Sequence, residues 1–160
     1  MRMRVCHGTT EIAGQMGILC GELKKRGHIA VGYNSFHSYL GYKEHLINTS
    51  KEEIHQQAKH IINFFDTFHF HYASTFMHNY EDLPIIQSKG KKMVMHHWGN
   101  DVRFHDKAKI YNPFAYTGDS PPNEVIHDRL TKISTYIDEA IVQDYEVFPY
   151  VAPYYKTPLP

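Results

Sequence analysis

Short strand-like runs alternate with helical stretches along the whole chain, and this alternation constrains the fold more than any other feature. Residues 2–7 read as a first strand and "GTTEIAG" as the loop after it. Residues 14–26 read as a helix, with Met16, Leu19, Cys20 and Leu23 at helical spacing and Gly27 as its stop. "HIAVGY" is a second strand, completing a strand–helix–strand unit of the kind that builds parallel sheets. Ser50 and Glu53 form a capping box that opens a helix with Ile54, Ala58, Ile61, Ile62 and Phe65 on one face. "TFHFHYA", residues 92–96 and "EAIVQ" supply three more strands. A short helix, "DLPIIQSKG", and a longer one over residues 123–137 lie between them. Residues 34–49 and 104–122 read as irregular. The expectation is an α/β, Rossmann-like, doubly wound and mostly parallel sheet with helices on both faces.

At 160 residues the chain suits one domain. The tail "VAPYYKTPLP" carries three prolines in its last eight residues, so residues 1–150 are expected to form the domain and 151–160 the start of a linker. Seventeen basic and seventeen acidic side chains cancel, which excludes a broad pull toward nucleic acid. No apolar run is long enough for a signal peptide or a membrane span, so a cytoplasmic location is expected, with peripheral membrane contact left open. Cys6 and Cys20, the only cysteines, are expected as reduced, buried thiols.

Open parallel sheets bind ligands outside the carboxyl ends of their strands. Those ends are rich in polar residues here: His7, Thr9 and Thr10, then Tyr33, Asn34 and Ser35, then His69, His71 and Ser74, and then "HHWGNDVR" from His96 to Arg103, with Gln143 and Asp144 at the end of the last strand. Ala13, Gly14 and Gln15 stand where the first helix begins, so the loop could admit a phosphate to backbone N–H groups. The competing reading is that Gly14 merely permits close helix–strand packing. The loop is neither a G-x-G-x-x-G fingerprint nor a Walker loop. A metal site is not expected, because zinc needs three or four converging ligands and no Cys or acidic partner has a recognised spacing. His69 reads instead as a satisfied core histidine. Nor is there a G-x-S-x-G elbow for nucleophilic catalysis.

The order of "EIAGQMGILCGELKKRGHIAVGY", "FDTFHFHYAS", "GKKMVMHHWGNDVR" and "ISTYIDEAIVQD" resembles the N-terminal domain of retaining glycosyltransferases of the GT-B fold. Ala13-Gly14 takes the place of the family's double glycine, Arg26-Gly27-His28 that of its "rGHxV", and His96 to Arg103 that of its histidine-containing "G-S-D-x-R" strand end. The resemblance implies an acceptor-binding half of an enzyme that transfers a sugar from a nucleotide-sugar. Its partner would be a C-terminal nucleotide-binding domain of its own chain, and no further cofactor is implied. It places His96 or His97 in the catalytic role and Ala13, Gly14 and Gln15 at the donor diphosphate. His7, Thr9, His71, Asp101 and Arg103 fall on the acceptor side. The alternative is a stand-alone, non-catalytic module for a small polar or phosphorylated ligand. Strand alternation sends His96 and His97 to opposite faces, so at most one can serve the cleft.

Overall fold

In the computed structural model, which describes residues 1–160, seven strands form one parallel sheet in the order β3-β2-β1-β4-β5-β6-β7. They are β1 (Arg4–Thr9), β2 (Ile29–Asn34), β3 (Leu46–Asn48), β4 (Thr67–His71), β5 (Lys92–His97), β6 (Glu139–Val142) and β7 (Thr157–Leu159). The chain winds outward from β1 to β3, returns to place β4 on the other side of β1, and winds outward again. The strand order therefore reverses between β1 and β4, where an open α/β sheet forms its crevice. The expected doubly wound Rossmann-like class is the observed one.

Local signals explain the helices α1 (Gln15–Lys25), α2 (Lys51–Phe64), α3 (Asp82–Ser88), α4 (His105–Tyr111), α5 (Asn123–Tyr136) and α6 (Phe148–Val151). The Ser50 hydroxyl accepts the Glu53 N–H, while the Glu53 side chain returns to the Ser50 N–H, so the capping box forms as read. α1 ends where Gly27 adopts φ +84°; its N–H donates to Lys24 and the His28 N–H to Leu23. That pair of bonds satisfies the last carbonyls as a Schellman motif does.

The two sheet faces are unequal. Cys6, Phe68, Phe70, Met95, Ala140 and Val142 point to one face, into a core that also takes buried residues from α2, α3, α4, α5 and α6. The second face carries Val5, His7, His69, His71, Val94, His96 and Ile141, as the strand registers require. Of the helices, α1 covers this side over β1, β2 and β3, with Met16 and Cys20 fully buried. Beyond β1 the second face is only half-buried at His69, Val94, His96 and Ile141. An all-parallel sheet normally buries both faces, so cover by helices on each side was expected; the second face is covered over only part of its width.

Three elements depart from expectation. β3 and α4 form in stretches read as irregular, and residues 157–159 add an edge strand instead of leaving as a linker. Pro158 has no N–H to offer a further strand, which an edge position tolerates. Both cysteines are free and buried, as expected. No helix is long and apolar enough to cross a membrane.

Candidate functional site

The carboxyl ends of β1, β2, β4 and β5 and the first turns of α2 and α5 enclose a cleft of about 900 Å³. Hydroxyls concentrate in it. Ser74 Oγ donates to the His71 carbonyl (2.7 Å) and meets the hydroxyls of Thr9 (3.0 Å) and Thr10 (2.9 Å). The chain leaves β4 through Tyr72 (φ +60°) and Ala73 (φ +51°), two consecutive left-handed residues, and the Tyr80 hydroxyl donates to the Ala73 carbonyl at 2.8 Å. Asn79 and Tyr80 are also left-handed, so four of the six non-glycine residues with positive φ line this one cleft. Such strain persists where surrounding structure enforces it, and functional sites are where it gathers. Arg129 on α5 lines the cleft half-buried, with no hydrogen bond or ion pair. Its neighbour Lys132 is paired with Asp128 at 2.9 Å.

The strand end that follows β5 divides its polar residues between the two faces. His97 is fully buried on the helix-covered face. Its Nδ1 donates to Asp101 Oδ2 (2.7 Å), since a carboxylate can only accept, and its Nε2 meets the Tyr155 hydroxyl at 2.7 Å. Asp101 Oδ1 accepts the Trp98 and Gly99 N–H groups, both at 3.0 Å. Burial pushes the Tyr155 phenol well above its usual range. His97 thus has no free ring nitrogen, and Asp101 shapes the turn instead of meeting an acceptor. Arg103 makes a two-pronged pair with Glu146 at 3.0 and 2.8 Å and donates to Asn100, so it too lies outside the cleft.

His96 points the other way. It stacks on Trp98, which lines the cleft, with ring centroids 4.2 Å apart. Pairing of β1 with β4 sets His7 beside His69, and pairing of β4 with β5 sets His71 beside His96. Four imidazoles therefore share the second face. His7 Nδ1 lies 3.2 Å from His71 Nε2, and Trp98 Nε1–H donates to His71 Nδ1 at 3.3 Å. The lone pair of His71 faces Trp98, so in the neutral ring its Nε2 carries the proton and donates to His7. His7 Nε2, His69 Nε2 and His96 Nδ1 are buried without a partner. Burial, then repulsion from neighbouring imidazoles, lowers His7 and His96 to about 4 and His69 to about 2, with His71 held well below its usual value. All four are neutral at pH 7. One ring nitrogen each from His7, His69 and His71 lies within 4.8 Å of the others. His69 is therefore not a satisfied core histidine, and three possible ligands do converge.

At the start of α1, Ala13 (φ +50°) and Gly14 (φ +79°) form a sharp left-handed turn. The buried Glu11 carboxylate accepts the Met16 N–H (3.1 Å) and the Gly17 N–H (3.0 Å). The first amides of α1, offered by the sequence to a diphosphate, are already held by a carboxylate. Ala13 and Gly14 line a separate cavity of about 520 Å³ with Tyr42 and His45, and Gln15 opens the helix.

Of the residues to which the resemblance gives a role, Thr9 alone lines the main cleft. His7, His71 and His96 gather on the second face, while His97, Asp101 and Arg103 are spent on the turn after β5. Ser74, read among the polar strand ends, lines the cleft as well. Arg129 and Tyr72 were missed: Arg129 lies on a helix whose sequence shows only an apolar stripe, and Tyr72 follows a strand whose turn type has no glycine to mark it. The fold and the cleft define a Rossmann-like α/β domain with a polar crevice at its strand ends. No protein-family model, no curated protein and no solved structure matches the chain.

Proposed function

We propose that this chain is the acceptor-side domain of a retaining nucleotide-sugar glycosyltransferase, with a polar, negatively charged acceptor bound in the main cleft. The free Arg129 guanidinium among the hydroxyls of Thr9, Thr10, Tyr72 and Ser74 carries this reading. Hydroxyls and aromatic walls, Trp98 among them, suit a sugar-like ligand, and an unpaired arginine offers a fork of donors to a phosphate or carboxylate on it. The order of the sequence signals along the chain supports the same assignment. In that role His96 acts through Trp98, as a positioning residue for the cleft wall, and catalysis rests on orientation and on charge stabilisation supplied with the second domain.

A second reading, a non-catalytic binding module, is favoured by Glu11. Its carboxylate occupies the helix amides that a donor diphosphate would need, and like charges exclude one another there.

Two measurements separate the readings. Equilibrium binding of anionic sugars and sugar phosphates should weaken about tenfold or more in Arg129→Ala, the scale of a lost hydrogen bond to a charged group, with thermal stability unchanged. Unaltered affinity would remove the cleft assignment. Transfer from a panel of nucleotide-sugars by the intact gene product supports the enzyme; acceptor binding with no transfer from any donor leaves the module.

A further inference from the structure

Independently of what the cleft binds, we infer that His7, His69 and His71 form a three-histidine site for a divalent transition metal, with zinc the best fit. Two observations meet here. The first is convergence: His7 Nδ1 and His71 Nε2 are 3.2 Å apart, and one ring nitrogen from each of His7, His69 and His71 lies within 4.8 Å of the others. Two imidazole nitrogens bound to one tetrahedral zinc at ~2.0–2.1 Å stand about 3.3–3.4 Å apart, so the first pair already has the separation of ligands on one ion. The third, from His69, lies within 4.8 Å, and its ring must move closer for the set to close on one ion.

The second observation is unmet hydrogen-bonding capacity. His71 is fully buried, and the Nε2 of His69 beside it is buried without a partner. A buried polar atom left unpaired costs roughly 1–3 kcal/mol, and orphaned groups in a native fold call for an explanation such as an ion. Carboxylates do not account for the cluster, because no acidic side chain bonds to any of the four imidazoles on this face. An all-imidazole set selects zinc, copper or nickel over magnesium or calcium. The fourth position is left to solvent or to His96, whose rings stack 5.4 Å from both His69 and His71 and whose Nδ1 is also unpaired.

Binding has a proton consequence. A metal on His71 Nε2 needs that nitrogen's lone pair, so the ring proton moves from Nε2 to Nδ1 and the number of bound protons is unchanged. Nδ1–H then faces Trp98 Nε1–H, donor against donor, and the present 3.3 Å bond is lost. The indole must shift. Trp98 is the only tryptophan in the chain and lines the cleft, so the metal would set the position of one cleft wall and report itself in fluorescence.

The experiment uses the whole chain after chelator treatment and dialysis. Addition of Zn²⁺ should load a single tight equivalent, raise the midpoint of thermal unfolding and change Trp98 emission with the same titration curve. Co²⁺ should show the intense visible absorption of four-coordinate cobalt. His7→Gln and His69→Gln should each weaken binding more than about 100-fold, whereas His60→Gln, on the exposed face of α2, should not. Binding that survives in both cluster variants overturns the assignment. Should those variants fail to fold, the parent protein decides: weak, six-coordinate cobalt absorption, or uptake without any change in Trp98 emission, also overturns it.

Discussion

Single side chains set the sharpest expectations. Tyr155 and Asp101 clasp His97 from two sides in the core, so Tyr155→Phe leaves His97 Nε2 buried and unpaired. A loss of roughly 1–3 kcal/mol in unfolding free energy is expected from denaturant titration, with any ligand binding at the cleft retained. Loss of binding without loss of stability would give His97 a functional role that its bonds now deny. The histidines of the second face predict a pH dependence. Each has a folded pKa depressed below its unfolded value, so the unfolded chain binds protons first as pH falls. Stability is therefore complete above about pH 6.5 and drains away toward pH 4, the folded value of His7 and His96. His7 alone should account for on the order of 2 kcal/mol between pH 7 and pH 5. Unfolding curves recorded with chelator present test this, and a flat profile over that interval would contradict it. Gly14 meets a third expectation. Its φ of +79° and the Tyr42 ring, 3.1 Å from where a Cβ would sit, make Gly14→Val destabilising. Retained stability would reopen the loop to a ligand.

At the scale of elements, the legible parts are those whose signals are local. α2 begins at its capping box and buries Ile54, Ala58, Ile61 and Ile62, because the cap and the stripe lie within one helix. Ser50→Ala should cost about 1 kcal/mol, and an unchanged midpoint of unfolding would show that the box adds nothing. β3 was illegible for a physical reason: two of its three residues, Ile47 and Asn48, are exposed, so no alternation marks it. α4 is seven residues long and contributes only Ala108 to the core, too little for a period to show. The histidine cluster was hidden differently. Its members come from β1 and β4, 62 residues apart from His7 to His69, and converge only through strand register. Ligand spacing read along one element cannot find such a site. Conversely, Ala13-Gly14 was readable as a special turn, while the occupant of the amides behind it, Glu11, depended on a side-chain direction that no local pattern specifies.

Across the molecule, the two winding directions gather one cleft at the switch between β1 and β4 and leave the second face unevenly covered. Residues 151–160 belong to this architecture. Deleting residues 151–160 removes β7 and Tyr155, strips the partner from His97 and bares the edge of β6. The shortened protein should unfold at lower temperature and self-associate through that edge, as light scattering would register; an equally stable, monodisperse product would mean that β7 is dispensable. The Tyr155 anchor also fixes where anything fused behind it must sit. β7 starts two residues after that anchor, and Pro158 stiffens the strand that follows. A spin label or fluorophore placed on Leu159 should consequently give a narrow distance distribution to a probe on α5, as on a bracket and not on a tether, which makes β7 a rigid mount for a reporter.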